Sequence, residues 1–145
     1  MNRIETKVSE IVISNFTDRK IRILELAPGE GGLTQALIDN GYANVGALDI
    51  NPQRFEAEGV KCHKGNLNEP LPFESNSFDL IITVEGIEHL ENQYQFPSKL
   101  NRVPKENAHT IITSPNIINF ASRIRFLMTG FYALAARPSS EFEKN

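Results

Sequence analysis

Apolar positions along the chain fall into short runs separated by helical spacings. Val8, Ile11, Val12 and Phe16 recur at three- and four-residue intervals, which predicts an amphipathic helix over residues 5–16. Residues 21–27 (IRILELA) form a continuous apolar run that ends at Pro28-Gly29, the pattern of a strand buried on both faces. Leu33, Ala36 and Leu37 return to helical spacing, with Gly41 placed to end that helix. Residues 44–50 (NVGALDI) predict a second strand that stops at Asn51-Pro52, and Pro52 suits the first turn of a short helix through Glu58. A third strand is predicted over 59–64, a loop over 65–77, a fourth strand over 78–84 (FDLIITV) and a fifth over 108–114. Between the last two, Ile87, Leu90, Tyr94 and Leu100 predict a helix over 87–102.

Strands that alternate with helices predict an α/β fold with a mainly parallel, Rossmann-like doubly wound sheet of about five strands and helices on both faces. Ligands in such sheets bind at the carboxyl ends of the strands, beside the point where strand order reverses. The chemistry is therefore expected near residues 25–31, 49–52, 64–67 and 84–89. With 145 residues the expectation is one domain: an N-terminal helix over 1–18, a cofactor-binding core over 19–115 and a helical lid or packing segment over 116–145.

Composition narrows the class. The hydrophobic fraction of 40% and charged fraction of 23% are ordinary for a globular protein. A net charge of −3 offers no whole-chain basic footprint, so nucleic acid is not an expected partner. Charge is uneven: residues 1–97 hold eight basic and fifteen acidic side chains, whereas residues 98–137 hold six basic (Lys99, Arg102, Lys105, Arg123, Arg125, Arg137) against Glu106 alone. That asymmetry reads either as a solvated helix face or as a surface for an anionic partner. Cys62 is the single cysteine, and no apolar stretch approaches a membrane span, so a cytoplasmic protein is expected. Residues 117–136 are apolar with Arg123 and Arg125, and read as core packing, a homodimer contact or a membrane-touching helix.

The first crevice loop, Glu25-Leu26-Ala27-Pro28-Gly29-Glu30-Gly31-Gly32, fits two templates. Ala27-x-Gly29-x-x-Gly32, with Asp49 downstream, is a degraded dinucleotide fingerprint and keeps an NAD-dependent oxidoreductase open. Glu25-x-Ala27-x-Gly29-x-Gly31 is the other template, and it resembles motif I of the class I S-adenosylmethionine-dependent methyltransferases. Glu25 and Glu30 are poor neighbours for a pyrophosphate and acceptable ones for a ligand with an ammonium and a sulfonium.

The resemblance extends downstream. Residues 64–84 are similar to the family's G-D-x-x-x-L-P-F…S-F-D-L-I stretch, 85–90 (EGIEHL) to its E-x-x-E-H-L motif, and 112–117 (ITSPNI) to its T-P-N neighbourhood. What this resemblance implies is a cofactor site of Glu25, Ala27, Pro28, Gly29 and Gly31 at the methionine end, Asp49 and Ile50 at the ribose, Asn66 and Leu67 at the adenine, and Glu85 beside them. A small-molecule acceptor is implied with it. The E-x-x-E-H pattern resembles the ubiquinone-biosynthesis O-methyltransferase branch, where Glu85, Glu88 and His89 on one helical face would hold a divalent metal, or His89 alone would act as a general base. Departures from the pattern are Ala27 for the first glycine, Asn66 for aspartate and VPKENA at 103–108 for the usual L-K-P-G-G turn. The family's C-terminal strand hairpin has no visible counterpart, which also leaves open an inactive binding or dimerisation module.

Overall fold

The computed structural model describes residues 1–115 and 127–128. Met1–Ser114 form one compact unit, and Pro115–Asn145 fall in a second. The sheet and the candidate site belong to the first. The lid or packing segment over 116–145, the apolar stretch 117–136 and the hairpin question lie outside the described residues, apart from Leu127 and Met128.

Five strands form one parallel sheet: β1 Arg22–Leu26, β2 Asn44–Asp49, β3 Cys62–Lys64, β4 Phe78–Val84 and β5 Pro104–Thr113, in spatial order 3-2-1-4-5. Strand order reverses between β1 and β4. Both are central, so their residues are buried on both faces, as continuous apolar runs predict. Ile23, Leu80 and Ile82 face one core with Val8 and Val12 of helix α1 (Arg3–Asn15) and Leu33 and Leu37 of helix α2 (Gly32–Asp39). Leu24, Leu26, Leu48 and Ile81 face the other, covered by Leu67 and Leu71 of the long loop and by Phe96 and Leu100 of the short helix α3 (Phe96–Leu100). This is the expected doubly wound α/β architecture, with one layer made mostly of loop and short turns.

Local chemistry explains where the elements start and stop. Asn2 caps α1 by accepting from the N–H groups of Ile4 and Glu5, each at 2.9 Å, while Glu5 accepts from the Asn2 N–H at 2.6 Å. At the end of α2, the Gly41 N–H donates to Ile38 O at 2.8 Å and the Tyr42 N–H to Leu37 O at 3.2 Å. That pairing needs a left-handed residue, and Gly41 supplies φ +88°.

Several expectations are corrected. The helix over 87–102 does not form: 3₁₀ turns at Ile87–His89 and Gln93–Gln95 precede α3, and Tyr94 is exposed. The interruption lies ahead of Pro97: Leu90 and Asn92 are extended, with ψ 140° and 93°, and the Asn92 side chain accepts the Tyr94 N–H at 3.1 Å to start a new turn, while Pro97 sits near the start of α3, where its missing N–H costs nothing. The third strand shortens to Cys62–Lys64, since Gly59 turns the chain at φ +76°. The fifth lengthens to Pro104–Thr113, taking up a register shift opposite Phe78 and Leu80, with Asn107 at φ +67°. Likewise Pro52–Arg54 is a single 3₁₀ turn, not a helix through Glu58.

The basic side chains of residues 98–105 make bonds to neighbouring segments at the surface of the fold. Arg102 donates to the carbonyls of Leu71 at 2.7 Å and Phe73 at 2.6 Å, pinning the long loop to the sheet. Lys99 donates to Asn68 O, and Lys105 straddles both oxygens of Asp79 at 2.8 and 2.9 Å. Asp79 also accepts the Arg22 N–H at 2.8 Å, so it ties β4 to both neighbours. Arg102 and Lys105 remain partly in solvent, as a solvated face would have them, while also bonding to the neighbouring segments.

Candidate functional site

Two contiguous clefts open at the carboxyl ends of β1, β2 and β4, beside the switch point. The first, about 700 Å³, is lined by the loop Ala27–Gly32, by Asn2 and Glu5 of the α1 start, and by Gln35, Arg54, Glu56 and Val84. The second, about 360 Å³, is lined by Asp49, Ile50, Gly65, Asn66, Leu67, Glu85, Gly86, His89 and Leu90 among others. Ala27, Gly29 and Arg54 belong to both.

The loop backbone is shaped for close approach of a ligand. Gly29 and Gly31 have φ +57° and +84°. A Cβ at Gly29 would meet nothing within 4 Å, so the loop is open on that side, whereas one at Gly31 would come within 2.7 Å of the Phe55 ring. Ala27 and Glu85, at the ends of β1 and β4, are also left-handed, with φ +57° and +51°. Each carries strain of about 1 kcal/mol that a glycine would not. Glu85 is held there by its N–H, which donates to the carbonyl of Thr113 at 3.2 Å and its hydroxyl at 3.1 Å. Ala27 is held by a bond from its N–H to Leu48 O at 2.9 Å and by packing beside Gly86, where an added Cβ would lie 3.0 Å from the Ala27 methyl and 2.6 Å from the buried Thr83 hydroxyl.

Ala27→Gly should therefore stabilise the fold by roughly 0.5–1 kcal/mol, a rise of a few degrees in the thermal midpoint. A midpoint that stays or falls on thermal melting would mean that the methyl's packing outweighs its strain.

Asp49 ends β2 with each oxygen engaged once: Oδ2 accepts the Gly29 N–H at 3.2 Å and Oδ1 the Asn51 N–H at 2.8 Å. Each oxygen keeps a lone pair for a further donor. The adjacent Ile50 is exposed at the rim. Asn66 accepts the Asn68 N–H at 2.9 Å and retains acceptor and donor capacity, while Leu67 is buried and lines the second cleft.

Glu25 lies elsewhere than the loop pattern suggests. Its side chain is 2% exposed and lines neither cleft; Thr34 on α2 donates its hydroxyl to Oε2. Burial pushes the carboxyl up to about 7, against the Thr34 hydrogen bond, with the Glu5 charge adding to the rise. Cys62 is likewise pushed up to about 11, first by burial and then by Asp49, which leaves a protonated thiol at neutral pH.

The proposed metal triad is corrected. Glu85, Glu88 and His89 do not share a helical face, because Glu85 is left-handed, Gly86 intervenes and the following turn is 3₁₀. Among the described residues no group of three His, Cys, Asp or Glu side chains is arranged to hold a metal. His89 and Glu85 line the second cleft, while one Glu88 oxygen is buried without a hydrogen-bond partner.

Residues 24–112 match the protein family described as a methyltransferase domain. The chain belongs to that family. Among relatives, it is 30% identical over 122 residues to the ubiquinone biosynthesis O-methyltransferase of Rickettsia typhi, covering 79% of this chain and 49% of that one. It is 32% identical over 99 residues to a phthiotriol/phenolphthiotriol dimycocerosates methyltransferase of Mycobacterium leprae, covering 61% of this chain and 35% of that one. The chain thus spans a third to a half of the length of these relatives. The same fold occurs in the YcgJ protein of Bacillus subtilis (TM-score 0.65, 17% identity, 84% of this chain and 58% of that one). It also occurs in an S-adenosylmethionine-dependent methyltransferase of Mesorhizobium loti (TM-score 0.59, 20% identity, 66% and 47%). Of the two templates for the Glu25–Gly32 loop, membership in the methyltransferase-domain family selects the second. That family assignment also rests on the stretch 64–90, which the dinucleotide template left unexplained.

Arg54 and Glu5 are cleft residues that the sequence did not single out. Asn51-Pro52 marks the turn behind β2, and that turn is the signal that points toward Arg54.

Proposed function

We propose that the Met1–Ser114 unit binds S-adenosylmethionine and that the protein transfers its methyl group to a small-molecule acceptor. The single observation that carries the reading is Asp49: a carboxylate at the end of β2, with a free lone pair on each oxygen, beside a glycine loop at the switch point of a methyltransferase-domain sheet. Two adjacent ribose hydroxyls are the natural donors for that arrangement. Asn66 and Leu67 then face the adenine, and the loop from Ala27 to Gly31 carries the methionine end. The bound cofactor supplies a methyl group on a positively charged sulfur. The cleft's Glu5, Glu30 and Glu56 suit that charge.

The Rickettsia relative is named an O-methyltransferase, and on that likeness a hydroxyl is the acceptor group we favour. A hydroxyl gives up its proton as the new bond forms, so a base is needed. His89, exposed at the rim of the second cleft, is the imidazole placed nearest this chemistry. Among the described residues no helix is long and apolar enough to cross a membrane; a cytoplasmic setting goes with the reading.

Isothermal calorimetry of the chain with S-adenosylhomocysteine, with NADH as the control, tests it. Binding of S-adenosylhomocysteine alone is expected. Binding of neither ligand would instead favour a module that has the fold without the cofactor, and binding of NADH would return the dinucleotide template.

A further inference from the structure

Arg54 lines both clefts, and its surroundings are acidic: Glu5, Glu30 and Glu56 in the first, Asp49 and Glu85 in the second. Of the lining side chains in the described residues, Arg54 alone carries a permanent positive charge.

Its position over the cleft mouth is built into the chain that follows it. The Phe55 ring packs against Gly31 so closely that a Cβ there would come within 2.7 Å. The Glu56 N–H donates to Glu30 O at 3.0 Å, and the Glu58 N–H donates to the Gln35 side chain at 2.8 Å. Residues 55–58 are thereby strapped onto the glycine loop and the first turns of α2, with Arg54 at the strap's root. The guanidinium itself is weakly engaged. It stands 3.7 Å from Glu30, beyond hydrogen-bond length, and both side chains are largely exposed, at 68% and 73%. Such a pair contributes little. A fork of N–H donors is left for a better-placed acceptor.

Resting on the proposed cofactor reading, we infer that Arg54 leaves Glu30 and binds the amino-acid carboxylate of the cofactor. That carboxylate is the one anionic group on S-adenosylmethionine and S-adenosylhomocysteine. It would enter a cleft ringed by carboxylates, where an unpaired anion is repelled and a guanidinium fork gives two charge-assisted bonds. When the cleft is empty, the fork merely stands beside Glu30. Arg54 is a binding residue in this assignment and has no part in the methyl transfer itself.

The test is calorimetry with two ligands that differ only at this group: S-adenosylhomocysteine and its decarboxylated analogue, which keeps the ammonium. Wild type should prefer the carboxylate-bearing ligand. Arg54→Ala should raise the Kd of S-adenosylhomocysteine about tenfold while changing that of the analogue less than about twofold, and Arg54→Lys should recover part of the loss because it keeps the charge without the fork. Equal losses for both ligands, or no loss for either, would overturn the assignment; the second result is expected if the N–H groups at the start of α2 hold the carboxylate. Failure of wild type to bind either ligand would instead fail the cofactor reading on which the assignment rests. Arg54 is exposed and fills no core, so the variants should melt with the wild type.

Discussion

Asp49→Ala is expected to raise the Kd for S-adenosylhomocysteine on the order of 100-fold, because two hydrogen bonds to a charged acceptor are lost together, roughly 2–4 kcal/mol in all. The carboxylate has a second task that sharpens the expectation. Its Oδ2 holds the Gly29 N–H and its Oδ1 the Asn51 N–H, so it braces both crevice loops before any ligand arrives. Asp49→Asn should fall between wild type and alanine, since an amide oxygen can still accept one of these N–H groups while its NH₂ faces hydroxyl donors with the wrong polarity. A ligand comparison separates bracing from ribose recognition. Wild type should discriminate strongly against the 2′,3′-dideoxy analogue of S-adenosylhomocysteine, and Asp49→Ala should not. If calorimetry finds the alanine variant within about threefold of wild type for the intact ligand, Asp49 is not the ribose acid.

Glu25→Gln should change the pH dependence of stability more than any other single substitution in the described core. Its carboxyl is held up at about 7 in the folded protein, mainly by burial, against an ordinary value of 4.5. Between those values the folded state binds more protons at this site than the unfolded chain does. Stability therefore falls as pH rises from about 4.5 to about 7, and is flat beyond. The full loss is about 3 kcal/mol, an order-of-magnitude figure from the size of the displacement. Glutamine is neutral throughout and can still accept from the Thr34 hydroxyl. The variant should match wild type near pH 5 and exceed it near pH 8. Urea midpoints at pH 5, 6, 7 and 8 measure the difference. A constant offset between the two proteins across that range would show that the Glu25 carboxyl is not held up by burial.

The central strands are legible for a local reason. A parallel strand covered on both faces must be apolar along its length, so IRILELA and FDLIITV stand out without knowledge of their neighbours. Edge strands lack that signature. Cys62–Lys64 is half exposed and three residues long, and Pro104–Thr113 alternates irregularly, so neither length is readable from the apolar pattern. The helix expected over 87–102 rests on apolar spacing alone, and extended backbone at Leu90 and Asn92 interrupts that periodicity before α3 begins.

By itself, the sequence determined the α/β alternation, the glycine loop after the first strand, Asp49 at the end of the second, and the family to which these motifs belong. Each depends on residue type at short spacing, which the linear chain carries in full. Only the tertiary structure decided that Glu25 turns inward to Thr34, that the metal triad is dispersed by a left-handed Glu85, and that Arg54 is strapped over both clefts. Those outcomes turn on the sign of a single φ or on contacts between segments distant in the chain, such as Glu56 with Glu30 and Phe55 with Gly31, and no periodicity encodes either.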